Sequence, residues 1–311
     1  SLFCSYPEEE TKWSTEMVIS SITVSARNMI VSYSVSPFAS ARPVLDVDDT
    51  LYPLSSGLAP EVANNIQDYM TEKLGIMENK VQELCLSLYK YYGTTLAGLR
   101  AIGYKFDYND FHSFVHGRLP YDTLKPDPVL RNLLQSLPIR KVVFTNADKA
   151  HADKVLNRLG LEDCFEQILC FETLNDSTKG NDAVEDEEAA EVFDINEYSA
   201  APNAGISLPK SPVVCKPFEE AFEEVFKIAS INPNRTLFFD DSLRNIQTGK
   251  RMGLHTVRVG TSNRTEGADY ALESIHNIKE ALPELWDTAA TDKTDGMRYS
   301  TEVAIETEVK A

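Results

Sequence analysis

Asp46 and Asp48 stand on alternate residues of Leu45-Asp46-Val47-Asp48-Asp49-Thr50, and a Tyr52-Pro53 break follows them. On an extended chain, residues two apart point the same way, so these carboxylates crowd each other. Such crowding raises a carboxyl pKa or recruits a cation. Alone, the stretch reads equally well as an acidic turn. Three later runs repeat its form: Lys141-Val142-Val143-Phe144-Thr145-Asn146, Val213-Val214-Cys215-Lys216-Pro217 and Thr236-Leu237-Phe238-Phe239-Asp240-Asp241-Ser242. In each, a short apolar run ends in polar or charged residues, as a buried parallel strand does where its C-terminal end opens into a crevice. Ligands bind at that edge in open α/β sheets.

Asp46, Asp48, Asp240 and Asp241 on one edge repel one another unless a cation joins them, and a hard oxygen-liganded ion, Mg²⁺, fits that donor set. A cation beside the donors Thr145, Asn146 and Lys216 makes a site for phosphate. One carboxylate then attacks phosphorus while a second, with a raised pKa, protonates the leaving oxygen and later activates water. Asp46 is the candidate nucleophile and Asp48 the acid/base. Lys216 and the cation neutralise charge on the transferred oxygens. A lysine alone reads as a solvated surface group; the apolar run before Lys216 and its place in the series favour the site.

The elements that position these residues follow from periodicity. Between Pro53 and Pro126, Val62, Ile66, Tyr69 and Leu74 form one helical stripe and Val81, Leu84, Leu88 and Tyr92 another. A short helix over Asp110 to His116 closes a cap of three or four helices, residues 54–125, inserted after the first strand. Residues 44–53 and 126–286 then make an α/β core. A helix stopped by Pro138 precedes the strand to Asn146; another runs from Ala147 to Gly160, which suits a C-terminal cap. Gln167 to Glu172 and His255 to Val259 read as strands, Pro217 as a first helical position, and Leu243 to Met252 as a helix ended by Gly253. Alternating strands and helices predict a doubly wound parallel sheet.

The charge of −18 over 311 residues argues against nucleic-acid binding, which needs a basic footprint. Much of the excess lies in Asp182 to Glu197, within an acidic, then Ser-, Pro- and Asn-rich stretch, 175–210, that reads as a disordered insertion. Residues 287–311 read as a polar tail. Five cysteines without a close pair predict reduced thiols rather than a disulfide framework or zinc site. No apolar run is long enough for a membrane span. Residues 1–43 read as an extension. From Met17 to Arg42 it is rich in serine and free of acidic residues, which is compatible with an organelle transit peptide or a joined leader. The expected location is cytoplasmic, with organelle targeting as the alternative.

The four motifs, in order and spacing, resemble the haloacid dehalogenase superfamily of phosphatases over roughly Leu45 to Leu285. That resemblance implies a Rossmann-like core with an inserted helical cap of the C1 type. It implies that Asp46 is phosphorylated and that Asp48 acts through its side chain and offers its backbone carbonyl to Mg²⁺. Thr145 would hold phosphate, Lys216 would steady both, Asp241 would ligate the metal directly and Asp240 through water, and Asn146 would meet phosphate or the cap. The presence of Asp48 disfavours dehalogenation. Asp49-Thr50-Leu51-Tyr52-Pro53, His116-Gly117-Arg118-Leu119-Pro120-Tyr121, Thr145-Asn146-Ala147-Asp148-Lys149-Ala150-His151 and Phe171-Glu172-Thr173-Leu174 look like the pyrimidine 5′-nucleotidase branch, with the yeast suppressor of disruption of TFIIS and its plant relatives. The branch implies hydrolysis of UMP or CMP, with a small phosphate ester as partner. Arg118, Tyr121 and His116 either meet base and ribose or pack at the hinge. The alternatives are a phosphatase for a sugar phosphate or an aldehyde-producing phosphonate, and a non-catalytic regulator keeping the fold. Arg42-Pro43-Val44-Leu45 is a short lead-in to Asp46, so the first strand is expected to be truncated.

Overall fold

The computed structural model describes residues 42–175, 192–195, 198 and 207–287. The extension, the tail after 287 and much of the insertion lie outside them. Six strands form one sheet: β1 (Arg42–Leu45), β2 (Val142–Phe144), β3 (Gln167–Leu169), β4 (Thr236–Asp240), β5 (His255–Val259) and β6 (Tyr270–Leu272). The order is β3-β2-β1-β4-β5-β6 and every pairing is parallel. The chain builds outward from β1 on one side, then crosses back to start β4 on the other. The crevice beyond β1 and β4 is therefore the topological switch point.

Period-two alternation explains the two layers. Val44, Val142, Phe144 and Phe238 pack into one cluster, while Leu45, Val143, Leu237 and Phe239 face a second on the opposite side. Helices cover both faces, which is why β2 and β4 are buried at every residue. The strand before Asp46 is four residues long and includes Pro43, as its sequence suggests. It still pairs with β4 along its whole length, and the Asp46 N–H continues the ladder to the Phe239 carbonyl at 2.9 Å.

Between β1 and β2 lie α1 (Leu58–Glu72), α2 (Glu78–Tyr92), α3 (Thr95–Ala101), α4 (Tyr108–Val115) and α5 (Pro128–Ser136). Short polar residues start several of them. The Thr94, Asp107 and Asp127 side chains accept from the N–H groups of Ala97, Asp110 and Leu130. Helices α1 to α4 contribute most of a further cluster, from Tyr69 to Val115, which Phe171, Ile195, Val213 and Cys215 complete. Leu58, Leu119 and Tyr121 are instead buried with the sheet's cluster. Gly98 lets α2 and α3 approach closely, since a Cβ there would sit 2.6 Å from Leu88 Cβ. Gly98→Ala should lower stability by about 1–3 kcal/mol through overpacking; an unchanged urea midpoint would show that the two helices can part at no cost.

After β2 come α6 (Lys149–Leu159), the single turn α7 (Phe171–Leu174), α8 (Glu219–Ile228) and α9 (Leu243–Arg251). Gly160 ends α6 with φ 69°, the left-handed position that favours glycine.

Three expectations are corrected. Val213–Cys215 is not a strand: the Asn175 side-chain amide bonds both the N–H and the carbonyl of Val214, at 2.8 and 2.9 Å, in place of a ladder. Pro217 does not open a helix; it follows a cis peptide, and α8 begins at Glu219. The insertion is not disordered throughout. The Phe193 N–H donates to the Ile102 carbonyl at 3.0 Å, the Tyr92 hydroxyl to the Pro209 carbonyl at 3.0 Å, and Ile195 is buried in the cap cluster. Val192-Phe193 and Ile195 are an apolar island whose signal is lost when averaged over the acidic residues around it. Strand β6 was not anticipated. Its three residues are too few for a period to show.

Candidate active site

The sheet delivers its polar strand ends to one place. Asp46 follows β1, Thr145 and Asn146 follow β2, Asp240 ends β4 and Asp241 succeeds it. Lys216 arrives from the loop before α8 and is 1% exposed. Its Nζ lies 2.9 Å from Asp46 Oδ1 and 2.7 Å from Asp240 Oδ2, and it donates to the Phe144 carbonyl at 2.9 Å. Asn146 holds the lysine's backbone from both sides, accepting from the Lys216 N–H at 2.8 Å and donating to its carbonyl at 3.0 Å. Asp240 is fully buried and saturated, with Asn245 Nδ2 at 2.9 and 3.1 Å from its two oxygens and the Ser242 N–H at 2.9 Å.

Burial pushes the Asp46 carboxyl well above the usual range; Lys216 opposes this, while Asp240, Asp241 and Asp48 add to it. Asp241 is pushed up to about 7, by burial first and then by Asp240 and Asp49. Burial would lower the Lys216 pKa, but Asp240 and Asp46 carry it above the ordinary lysine value. One ammonium thus faces more carboxylate than it neutralises. Asp46 Oδ1 touches it as an ion contact yet receives no hydrogen bond of normal geometry, and oxygens of Asp46, Asp240 and Asp241 lie within 4.8 Å of one another. An all-oxygen, charge-deficient cluster fits a hard divalent ion. Asp46 and Asp241 have oxygens to offer directly; both oxygens of Asp240 already accept from protein donors.

Above these groups is a cavity of about 300 Å³ between cap and core. It is lined by Asp46, Asp48, Thr145 and Lys216 and by the apolar side chains of Val62, Ile66, Phe111, Val115 and Phe171. Four motifs read from sequence as strand ends therefore converge below a cap-lined chamber. The chain resembles the haloacid dehalogenase superfamily. No protein-family profile matches it. A stretch of 131 residues is 31% identical to Phosphate metabolism protein 8 of Saccharomyces cerevisiae, covering 40% of this chain and 41% of that protein, so the match spans about two fifths of the relative's length. Solved structures with a similar fold include a HAD phosphatase from Thermococcus onnurineus (16% identity, 77% of this chain and 96% of that one, TM-score 0.46). Others are CbbY from Rhodobacter sphaeroides in complex with phosphate (16%, 78% and 98%, 0.46) and the magnesium-bound HAD-hydrolase YfnB from Bacillus subtilis (18%, 78% and 97%, 0.44).

Of the three cap residues expected either to meet base and ribose or to pack at the hinge, two lie outside the cavity wall. Arg118 is half-exposed, 3.8 Å from Asp68 and stacked over Phe114, and it is not in the cavity wall. Tyr121 is buried in the core cluster, its hydroxyl 2.8 Å from His151 Nδ1. Tyr121 thus packs at the hinge, and Arg118 on the cap surface. Arg118→Ala should change the rate of phosphate release by no more than about twofold, as surface substitutions do; a tenfold loss would place the guanidinium on substrate after all. His116 does line the cavity and hydrogen-bonds Asp148. Asn146 reaches the cavity, but its amide is committed to Lys216.

Sequence reasoning missed the surroundings of Asp48. Its Oδ1 is 2.5 Å from the Tyr52 hydroxyl and 2.7 Å from His151 Nε2. The raised pKa expected of Asp48 is corrected: burial would raise it, but His151 and Tyr52 hold it well below the carboxylate range. Burial would lower the His151 pKa, but Asp48 and Asp148 lift it above the ordinary histidine value. The pair therefore carries one proton between them. Its partner lies 103 residues away, beyond any local pattern. His151 follows Asn146 at a fixed offset on α6, a signal that could have been read only as a helix facing the strand ends. Asp49, with φ 53° and a buried unpartnered oxygen, was also passed over.

Proposed function

We propose that the chain is a Mg²⁺-dependent phosphomonoesterase that works through an aspartyl phosphate, with a pyrimidine nucleoside 5′-monophosphate as substrate. The observation that carries this reading is the Lys216 ammonium set between Asp46 and Asp240 at the wall of the cavity. It pairs a nucleophilic carboxylate with a fixed positive charge where phosphoryl oxygens would lie. Phosphate sits against Lys216 and Thr145, and the ester group rises between Val62, Ile66 and Phe171. A cavity of this size is within the range for small-molecule sites, and the pyrimidine base is the reading that the nucleotidase-like motifs suggest.

In the first step an Asp46 oxygen bonds to phosphorus and the ester P–O bond breaks. The proton held by the Asp48–His151 pair passes through Asp48 to the leaving oxygen, giving the free alcohol. Water then attacks phosphorus, Asp48 takes its proton, and the bond to the Asp46 oxygen breaks to release phosphate. Asp46, Asp241 and the Asp48 carbonyl would hold Mg²⁺, which when bound supplies charge neutralisation at the phosphoryl oxygens. Lys216 stays protonated throughout because Asp240 remains buried against it.

The test is phosphate release from a panel of nucleoside and sugar monophosphates, with Mg²⁺ or with chelator. UMP and CMP should lead the panel, and chelator should abolish turnover. Release from sugar phosphates alone would keep the mechanism and move the substrate. No release by folded protein would favour the regulator.

A further inference from the structure

His112 and His116 lie four residues apart at the C-terminal end of α4, on one face of the cap. Their rings stack with centroids 5.6 Å apart, and both meet the carboxylate of Asp148, which starts α6 in the core. His116 Nδ1 hydrogen-bonds Asp148 Oδ1, while His112 Nδ1 stands 3.7 Å from the same oxygen, too far for a hydrogen bond. The His112 side chain is 9% exposed, and neither of its ring nitrogens has a hydrogen-bond partner. A buried polar side chain left in this state costs about 1–3 kcal/mol, unless something else accepts its lone pair. Ligand atoms of all three residues lie within 4.8 Å of one another.

We infer that His112, His116 and Asp148 form a second cation site, distinct from the carboxylate cluster, that takes one borderline transition ion such as Zn²⁺ and ties the cap to the core. Two imidazoles and one carboxylate are a donor set for such ions, and hard Mg²⁺ selects against it. Three protein ligands leave a fourth position open, and His112 and His116 both line the cavity. Asp148 Oδ2 accepts from the His151 N–H at 3.3 Å, a contact that orients the carboxylate, and Phe171 packs edge-on against His112 at 4.6 Å.

Co²⁺ is the probe, titrated into the full chain carrying Asp241→Asn, so that the carboxylate cluster is weakened. The expected result is one equivalent bound, with the intense visible absorption of a four-coordinate ion. Affinity should fall about tenfold or more in His112→Gln and again in His116→Gln. Zn²⁺ should displace the signal and raise the melting temperature of the parent chain. No visible bands, or bands that survive both histidine changes in protein with unaltered circular dichroism, would overturn the site. If His112→Gln does not fold, the less buried His116→Gln decides on its own. Because the readout is the ion's spectrum, it is independent of whether the chain releases phosphate.

Discussion

Asp46→Asn should reduce phosphate release by about 10⁴-fold or more, the scale seen when a covalent nucleophile is removed, with little loss of stability. The amide keeps the carboxylate's shape and the 2.9 Å ladder bond from its N–H to Phe239 is untouched. It also removes one of the charges that crowd Asp240 and Asp241. The melting temperature should hold or rise while turnover vanishes, and chemical trapping of a phosphorylated carboxylate should fail. A variant that keeps a tenth of the rate would require another nucleophile, and Asp48, held by Tyr52 and His151, would be the next residue to change.

Lys216→Met should destabilise the fold by about 3–5 kcal/mol, the cost of leaving buried carboxylates without their cation. Asp240 is 0% exposed and cannot turn to water. Its remaining donors, Asn245 and the Ser242 N–H, are neutral. Adding Asp240→Asn to the same chain should recover much of the loss, because removing both charges is far cheaper than removing one. Urea unfolding of the two single variants and the double variant measures the coupling. Additive losses would mean that the lysine and the aspartate do not depend on each other, contrary to the 2.7 Å contact between them.

Much of this was legible along the chain because burial on both sides of a parallel strand leaves a continuous apolar run, and its polar end marks the crevice. Val142-Val143-Phe144 before Thr145 and Leu237-Phe238-Phe239 before Asp240 carry that information locally, and so did the stripes of α1 and α2. Their order was enough to bring Asp46, Thr145, Lys216 and Asp241 together. Tertiary structure decided what depends on partners far apart in sequence. Val213–Cys215 reads as a strand until Asn175 takes up its backbone groups, and Arg118 and Tyr121, which read either as substrate contacts or as hinge packing, lie against Asp68 on the cap and His151 in the core. His151 became the partner of Asp48 only when α6 met the loop after β1, and His112 the unpaired imidazole beside Asp148 only when α4 met the start of α6. Apolar periodicity is a property of neighbours on one element; the state of a buried proton or lone pair is set by whatever the fold packs against it.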